Sequence, residues 1–347
     1  MTTRILITGM AGFIGHHVAE GILSSTDWDV VGLDRLDTSG TLHRLTDIQS
    51  WETQKKRVTF VWHDLKAPIN DYVRSKIGHV DLVLHLAAST HVDRSITQPM
   101  EFVMDNVVGT AHLLEYVRGL DPSRPKPFQG MIYFSTDEVF GPAAPGIAHK
   151  EWDNYHSGNP YAATKAAGEE LCLAYQNTYK LPISITHCMN VFGERQHAEK
   201  FIPLVIRSVL LGEEVTIHSN ATRTLAGSRF YIHARNVGAA LLFVLETQKK
   251  MSWGRKYNIV GEKEIDNLEM AQAIARIVGK PLRHRMIDFH SSRPGHDLRY
   301  ALDGDLLRSA GFELPKSFEE SLEKTVRWFL EHPEWLGLNE ATKPEIG

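Results

Sequence analysis

The chain is poor in cysteine, since its 347 residues include only Cys172 and Cys188. Two cysteines predict no disulfide framework, so we expect a reducing cytoplasm as the compartment. No apolar run approaches the roughly 18 residues that predict a membrane span. The apolar start of the chain is short and leads directly into glycines, which is not the pattern of a secretory signal. These shortages argue against a secreted or membrane-embedded protein.

A strong net charge and metal-binding motifs are also missing. The formal net charge of −4 at pH 7 gives no reason to expect nucleic acid or an anionic membrane as a partner. The 18 histidines include no H-E-x-x-H motif and no cluster with metal-ligand spacing, so we expect no metal. A hydrophobic content of 42% is ordinary for a globular protein. A chain of this length predicts two lobes rather than one core.

The first residues have the pattern of a dinucleotide-binding turn. An apolar run at Arg4–Thr8 leads into Gly9, Gly12 and Gly15, and Asp34 follows 19 residues after the last of these glycines. Such glycines allow a tight turn, close approach of a pyrophosphate and close packing of helix on strand, and the acid can bind the adenosine ribose. A glycine triplet alone would equally fit an ordinary strand–helix turn. The acid at this distance favours the dinucleotide.

Asp34 also bears on which dinucleotide is bound. Its carboxylate would repel a 2′-phosphate and therefore favours NAD, whereas the adjacent Arg35 could accept that phosphate. We expect NAD. The other residues expected beside the cofactor follow the glycine turn or the ends of later strands, where small residues let a flat ring lie against the backbone: Phe13, Ile14, Asp64, Leu65, Ala87 and Ala88.

Strands and helices alternate over about the first 135 residues. The predicted strands are 4–8, 29–34, 58–63, 80–86, 130–135 and 182–189. This alternation predicts a Rossmann-like α/β fold with a doubly wound parallel sheet. After residue 190 the elements become shorter and lose the alternation. We expect a Rossmann domain at 1–189, with a return segment near 229–258, and a smaller mixed α/β lobe at 190–347.

Helix signals outside the glycine turn are also clear. Helices are predicted over 95–118 and 161–177. Asn267 is expected to cap a helix, and Ser317 with Glu320 forms the pattern of a capping box for another.

The stretch MIYFSTDEVFG at 131–141 carries the first chemical signal. Its apolar run ends in Thr136, Asp137 and Glu138, where a strand would end. Open α/β folds place their chemistry at the carboxyl ends of parallel strands. On its own, such a triplet would more commonly be a solvated loop or a helix cap.

Tyr161 and Lys165 carry the second signal, because four residues of helix put both on one face. A Tyr/Lys pair at this spacing is often only a surface pair. The joint occurrence of the pair, the acidic triplet and the glycine turn favours a catalytic set over these alternatives.

These motifs resemble those of the extended short-chain dehydrogenase/reductase family, and within it the nucleotide-sugar 4,6-dehydratases. The resemblance runs from residue 1 to about 330, and its most specific part is the acidic triplet. The segments that carry it are LDRLDTSGTLHRL (33–45), HLAASTHVDRSI (85–96), STDEVFG (135–141), NPYAATKA (159–166), NVFGERQHAEKFIP (190–203) and RPGHDLRYALD (293–303).

The resemblance implies NAD-dependent dehydration of a nucleotide hexose, with dTDP-glucose as the expected substrate. The product would be the 4-keto-6-deoxy sugar, formed by oxidation at C4, loss of water across C5 and C6, and reduction at C6. Tyr161 would be the base at the C4 hydroxyl, its pKa lowered by Lys165 and the positive nicotinamide, and Thr136 would orient that hydroxyl. Tyr161 and Lys165 would also contact the NAD. Glu138 would take the C5 proton. Asp137, kept protonated by its neighbouring carboxylate, would be the acid at C6.

The resemblance also implies a set of substrate contacts. An Arg is well suited to a pyrophosphate because its fork matches phosphate oxygens. Around Arg229 the sequence RFYIHARN departs from the usual pattern of these dehydratases, which leaves the nucleotide base open. The residues expected near the nucleotide, the sugar and the phosphates are His91, Arg94, Asn190, Lys200, Arg229 and Asn258, with Arg293 and His296 in a loop that could close over them.

Two other functions fit the same motifs. A nucleotide-sugar 4-epimerase needs Tyr161, Thr136 and NAD but neither acid. A non-catalytic sugar-nucleotide-binding protein needs none of the catalytic residues, although all are present. By the same resemblance we expect a homodimer through helices near 96–118 and 161–177.

Overall fold

The computed structural model describes residues 2–37, 39–120, 123, 126–248, 253–288 and 298–338. The strands are β1 Arg4–Thr8, β2 Asp29–Asp34, β3 Val58–Trp62, β4 Leu82–His85, β5 Gly130–Thr136, β6 Ile183–Cys188, β7 Val191–Phe192, β8 Glu214–Ser219, β9 Ser228–Phe230, β10 Ile232–His233, β11 Lys256–Ile259, β12 Glu264–Asp266 and β13 Arg283–Asp288. The helices are α1 Phe13–Ser25, α2 His43–Thr46, α3 Trp51–Gln54, α4 Asp71–Ile77, α5 Val92–Thr97, α6 Pro99–Phe102, α7 Gly109–Arg118, α8 Pro160–Tyr179, α9 Phe201–Leu211, α10 Ala234–Gln248, α11 Asn267–Val278, α12 Asp305–Ser309 and α13 Phe318–Glu331. None of the helices in these ranges has both the length and the apolar character that crossing a bilayer requires.

Seven strands form one sheet in the order β11-β6-β5-β4-β1-β2-β3. All neighbours in it run parallel. The strand order reverses between β1 and β4, and the carboxyl ends of strands at such a switch point are where ligands bind in open α/β sheets. The predicted Rossmann-like fold is therefore confirmed, and it directs attention to one edge of the sheet.

Apolar side chains cover both faces of this sheet. Ile5 and Ile7 belong to a core with residues of α1 and α10, whereas Leu6 between them belongs to a core with residues of α7 and α8. Successive strand residues point to opposite faces, so a continuous apolar run serves both layers. All three side chains are fully buried, and each such burial stabilises the fold by about 1.5–3 kcal/mol.

A second core lies mainly in the later part of the chain. Val205 of α9, Ile274 of α11 and Val326 of α13 are fully buried there. The chain also returns to the large sheet, because β11 pairs with β6 and α10 packs against α1. The predicted division at residue 190 stays a prediction.

The helix expected over 95–118 is not continuous. The structure has α5, then α6 beginning at Pro99, then a π-helical stretch at Val103–Val108, and then α7. Proline has no backbone N–H, which ends one helix and allows it to begin the next. Stretches of π-helix are frequent at functional sites, because they turn side chains away from the regular helical faces.

The caps of the later helices differ in one case from the prediction. Asp266, not Asn267, caps α11, and its Oδ1 accepts hydrogen bonds from the backbone N–H groups of Leu268 and Glu269. Ser317 caps α13 as predicted, accepting from the N–H of Glu320. Asp and Asn are about equally good caps. The sequence pattern therefore could not choose between neighbouring residues.

Candidate functional site

A cleft of about 1730 Å³, including space open to solvent, lies at the carboxyl ends of the sheet strands. It brings together residues from the ends of β1, β2, β3 and β4 with the start of α1. The residues predicted beside the cofactor that line it are Gly9, Gly12, Phe13, Ile14, Gly15, Asp34, Asp64, Leu65, Ala87 and Ala88. Ten positions predicted from separate parts of the chain thus meet in one cleft, whereas Tyr161 and Lys165, which were also expected at the cofactor, are not among the residues that line it.

The glycine turn has little room for side chains. Gly9 has a φ of +71°, and a Cβ there would lie 2.8 Å from the backbone of Ala87. A Cβ at Gly15 would lie 2.1 Å from the carbonyl oxygen of Gly9. Gly12 caps α1 without any side-chain hydrogen bond, so the first N–H groups of the helix remain for an anion. The turn therefore fits the pyrophosphate of a dinucleotide.

Asp34 ends β2 at the edge of the same cleft. Its two carboxylate oxygens accept hydrogen bonds of 2.9 Å from the backbone N–H groups of Ala11 and Leu36. Burial raises the pKa of Asp34, and these two N–H donors oppose the rise. The carboxylate is thus held in a fixed orientation beside the glycine turn, as a contact to a ribose hydroxyl requires.

The acidic triplet lies where β5 ends. Thr136 is the last residue of β5, and a 3₁₀ turn at Asp137–Phe140 follows it. The Thr136 hydroxyl donates to Oδ1 of Asp137 at 3.0 Å and accepts from the N–H of Glu138 at 3.3 Å. A strand that stops in a 3₁₀ turn therefore folds the hydroxyl and the carboxyl together.

The side chain of Asp137 is buried, and its pKa is shifted by burial and by neighbouring charges. Burial, together with the nearby carboxylate of Glu138, raises the pKa of Asp137 to about 7, and Arg229 opposes the rise. Its Oδ2 atom is buried and has no hydrogen-bond partner among the described residues. An unpartnered carboxyl oxygen whose proton is held near neutral pH is the group that general acid catalysis needs.

Tyr161 lies at the start of α8, and Thr136 hydrogen-bonds to its phenol. Burial and the charge of Glu138 raise the pKa of Tyr161, while the Thr136 hydrogen bond lowers it. The ring contacts that of Phe102 edge-on. The phenol therefore lies beside both acids of the triplet, as the sequence motifs predicted.

Lys165 is one helical turn away, but its ammonium makes a different contact from the one expected. Its Nζ donates to the carbonyl of Phe134 at 2.7 Å and lies 4.2 Å from the centre of the Tyr133 ring. Burial lowers the pKa of Lys165 to about 8, and Glu169 opposes this. Lys165 is not among the main influences on the pKa of Tyr161 in this structure. Its ammonium is directed to the sheet end beside the cleft, since Phe134 lines the cleft.

Asn159 is a residue that the sequence analysis missed. Its Nδ2 donates to Oε2 of Glu138 at 3.0 Å, and its Oδ1 accepts from the N–H of Ala162 at 2.8 Å. One nearly buried amide thus both caps α8 and orients the Glu138 carboxylate. An Asn directly before Pro160 is a good helix-cap signal, but its contact with Glu138, 21 positions earlier, is a tertiary feature.

The predicted substrate residues fall into different places. His91, Arg94 and Lys200 line the cleft. Arg94 pairs with Glu199 at 3.1 Å. Asn190 is exposed at the end of the loop after β6.

Arg229 lies on β9. Its Nη1 donates to the carbonyls of Ser228 and Leu298 at 2.7 Å, and its guanidinium lies 4.6 Å from the centre of the Tyr300 ring. Its influence on the pKa of Asp137 shows that it lies within electrostatic reach of the acid. Arg293 and His296 lie outside the described residues.

Asn258 lies in the interior of the protein. It is fully buried in β11, and its Nδ2 donates to the carbonyls of His149 at 3.0 Å and Asp303 at 2.9 Å. Its Oδ1 contacts the ring of His187 at 3.0 Å. The amide is thus satisfied by the protein interior in this structure, and the predicted substrate contact of Asn258 stays a prediction. Asn258 instead ties β11 to the loops around it.

Comparison with known proteins agrees with the fold and the motifs. The profile of the NAD dependent epimerase/dehydratase family matches residues 5–260. A dTDP-glucose 4,6-dehydratase from Escherichia coli is 35% identical over 356 residues, covering 96% of this chain and 94% of the relative. A trifunctional UDP-glucose 4,6-dehydratase/UDP-4-keto-6-deoxy-D-glucose 3,5-epimerase/UDP-4-keto-L-rhamnose-reductase from Arabidopsis thaliana is 34% identical over 339 residues, covering 96% of this chain and 48% of the relative.

A solved structure is similar over the whole length. The dTDP-glucose 4,6-dehydratase of Streptomyces venezuelae, crystallised with NAD, superposes with a TM-score of 0.83 at 32% identity, covering 98% of this chain and 100% of that chain. The profile match, the identities and the superposition agree with one another, and they agree with the glycine turn and the Tyr/Lys pair. The chain therefore belongs to the NAD dependent epimerase/dehydratase family, and NAD is its cofactor.

Proposed function

We propose that this enzyme dehydrates a nucleotide hexose, dTDP-glucose in the first place, to the 4-keto-6-deoxy sugar. The observation that carries the proposal is the buried Asp137 carboxyl, whose pKa is raised to about 7 beside Glu138. A 4-epimerase on this fold needs a base at C4 but has no use for a second acid–base pair. Dehydration needs both a proton acceptor at C5 and a proton donor at C6.

The first step is assigned to Tyr161 and Thr136. Tyr161, as its phenolate, takes the proton of the C4 hydroxyl, and Thr136, hydrogen-bonded to the Tyr161 oxygen, orients that hydroxyl. When bound, NAD supplies a reversible two-electron acceptor for the sugar. Burial and the charge of Glu138 favour the protonated phenol, so the phenolate must form before this step, and the positive charge of bound NAD would favour it.

The elimination is assigned to the two acids. A ketone at C4 makes the neighbouring C5 proton removable, and Glu138, oriented by Asn159, takes it. Asp137 gives its proton to the departing C6 hydroxyl, which leaves as water, and Glu138 returns a proton to C5 when C6 is reduced. Two neighbouring carboxyl groups cannot both ionise easily, so one stays protonated while the other acts as a base.

Different residues are assigned to the dinucleotide and to the substrate, according to the chemistry of each molecule. The glycine turn, Asp34, Asp64, Leu65, Ala87 and Ala88 hold the dinucleotide, with Lys165 beside it at the sheet end. His91, Arg94, Asn190, Lys200 and Arg229 are assigned to the substrate, whose pyrophosphate suits cationic side chains.

The proposal also names the nucleotide base of the substrate, which is thymine in dTDP-glucose. The bacterial relatives named above act on dTDP-glucose and the plant relative on UDP-glucose. The purified protein would be incubated separately with dTDP-, UDP-, CDP- and GDP-sugars and followed by mass spectrometry. A product lighter by one water from dTDP-glucose, without added reductant, is expected. An isomer of unchanged mass would instead indicate a 4-epimerase, and binding without turnover would indicate a non-catalytic protein.

Deuterium from solvent gives an independent test of the same proposal. Dehydration exchanges the C5 hydrogen and should therefore place one deuterium at C5. A 4-epimerase leaves C5 untouched. An active protein that incorporates no deuterium there would contradict the role of Glu138.

The homodimer and the cytoplasmic location remain predictions. Ile96, Met100 and Met104 are exposed apolar side chains on the segment from α5 into the π-helical stretch, which is one of the two predicted interface helices. Exposed apolar side chains close together in the chain support an interface. Sedimentation at micromolar concentration should give a dimer, and a monomer alone would remove the prediction.

A further inference from the structure

Arg35 occupies the position at which NAD and NADP are told apart. It follows Asp34 directly and lines the cleft near the end of β2. The extra phosphate of NADP sits on the adenosine ribose, and an Arg close to the ribose-binding acid can accommodate it. Whether Arg35 can do so depends on what its guanidinium already binds.

The guanidinium of Arg35 is occupied by acids. Nη1 and Nη2 donate to the two carboxylate oxygens of Asp105 at 2.6 and 2.9 Å, and Nε donates to Asp37 at 2.7 Å. Asp64 lies 3.8 Å from Nη1. The pairing with Asp105 is bidentate, which is the strongest arrangement for this side chain. All three acids line the cleft.

Asp105 is itself held in place. It lies in the π-helical stretch at Val103–Val108, and only 8% of its side chain is exposed. The Ser89 hydroxyl donates to its Oδ2 at 2.6 Å, and the next residue, Asn106, donates to the carbonyl of Ser89 at 3.0 Å. The helix irregularity thus directs a fixed carboxylate at Arg35 from across the cleft.

The charges at this end of the cleft are unbalanced. Asp34, Asp37, Asp64 and Asp105 share this end with three cations, Arg35, Arg44 and Lys66, and Lys66 lies 3.5 Å from Asp64 and 4.0 Å from Asp105. A 2′-phosphate would add up to two further negative charges. Arg35 and Lys66 are already shared with acids of this group, and the guanidinium of Arg44 already donates to the backbone carbonyls of Ala11 and Ser39.

We propose that Asp105 is a specificity-determining residue, which selects NAD against NADP by holding Arg35 in a bidentate pair. The proposal rests on NAD as the cofactor and goes beyond it. Asp34 disfavours a phosphate by its own charge, whereas Asp105 acts by removing the cation that would compensate for it. Asp105 therefore converts an arginine typical of NADP sites into a neutralised part of an NAD site.

The test measures binding rather than activity. Full-length protein freed of nucleotide would be equilibrated with equal concentrations of NAD and NADP, and the bound nucleotides would be released and quantified by chromatography. Asp105→Asn should raise the bound NADP/NAD ratio about tenfold, because it frees a charge-assisted hydrogen-bonding cation. Glu323→Gln is the matched control, since Glu323 pairs with Arg327 on α13 outside the cleft, and it should leave the ratio unchanged.

A double variant tests whether the gain passes through Arg35. Arg35→Leu combined with Asp105→Asn should abolish the gain in NADP. If the gain persists without Arg35, the variant only lowers the negative charge and the proposal is wrong. An unchanged ratio in Asp105→Asn, for a protein that still binds NAD, also overturns it. A wild-type protein that binds neither NAD nor NADP would instead contradict the assignment of NAD as the cofactor.

The wild-type protein offers a measurement that does not depend on folding of a variant. Repulsion between the acid cluster and a 2′-phosphate is screened by salt, so the preference for NAD should weaken as NaCl rises from about 50 to 500 mM. The pyrophosphate contacts are common to both nucleotides and cancel in the ratio. A preference that does not change with salt would contradict the electrostatic origin.

Discussion

The acids that surround Arg35 at the adenosine end and Asp137 at the catalytic end are held in opposite ways. At the adenosine end, Asp37 and Asp105 pair with Arg35, and the pKa of Asp37 is held below its usual value. At the catalytic end, burial raises the pKa of Asp137, and its Oδ2 has no partner in the part of the chain that the structure describes. A binding end benefits from charges that do not change, whereas a proton-transferring end needs one that can change near neutral pH.

The largest expected effect comes from Tyr161→Phe. Removing the base at C4 should lower kcat by about 10²–10⁴-fold, because general base catalysis contributes about that much. NAD binding measured by calorimetry should stay within about twofold, since the ring remains. An active preparation with unchanged kcat would contradict the assignment of Tyr161 and with it the catalytic end.

Asp137→Asn should lower the rate of water loss by about 10²-fold, because an amide cannot donate a proton as an acid does. In the wild-type enzyme kcat should fall as pH rises through about 7, where Asp137 loses its proton. The variant should lose this part of the pH profile. An unchanged profile in the variant would show that another group sets it.

The same variant should change how stability depends on pH. An acid whose folded pKa is raised stabilises the fold fully only below its unfolded pKa of about 4, and this contribution is lost as pH rises through about 7. Asp137→Asn removes this loss, so the variant should be more stable than wild type at pH 8 by an amount on the order of 1–3 kcal/mol. Urea unfolding at pH 5 and pH 8 measures it, and an equal difference at both pH values would contradict the raised pKa.

Asn159→Ser separates positioning from helix capping. Serine caps a helix about as well as asparagine but is too short to keep the contact with Glu138, so stability should change by less than about 1 kcal/mol. We expect kcat to fall about tenfold with KM unchanged and C5 deuterium incorporation to slow in parallel, because the base is less well oriented. Asn159→Ala, which loses both contacts, is the reference for the stability change. Equal kcat in wild type and Asn159→Ser would limit Asn159 to capping.

Asp37→Asn should have the smallest effect. Asp37 is partly exposed, and Arg35 keeps its bidentate partner Asp105, so the change in unfolding free energy should stay within about 1 kcal/mol. Because the pKa of Asp37 is lowered, its contribution is present above about pH 4 and is lost only in more acidic solution. The difference between variant and wild type should therefore be constant between pH 5 and 9. A difference that varies in this range would place a titrating group at the adenosine end as well.

The local patterns predicted the main elements well. The apolar runs at Arg4–Thr8 and Asp29–Asp34 are strands, and the glycines between them form the turn into α1. The helix predicted over 95–118 is present except at Gln98, where the chain breaks before Pro99, and it contains a π-helical stretch. Periodicity reports which residues are apolar, but not where a backbone hydrogen bond is lost.

The site residues could be predicted where they belong to a short motif. Prediction failed where the interacting residues are distant in sequence. Thr136, Asp137 and Glu138 are neighbours, and Tyr161 and Lys165 are one helical turn apart, so their grouping follows from the chain itself. The burial of Asn258 in β11 could not be predicted in the same way, because it depends on the sheet order. The roles of the remaining site residues stay predictions until the variants above are measured.

The sequence by itself determined the alternation of strands and helices, the glycine turn with Asp34, the acidic triplet and the Tyr/Lys pair, because each depends on residues close together in the chain. Only the tertiary structure decided that Asp137 is buried, that Asn159 holds Glu138, and that Arg35 is bound by Asp105, 70 positions away. The reason is physical: periodicity and turn chemistry act over a few residues. The charge state of a carboxyl depends instead on desolvation and on partners that packing brings to it.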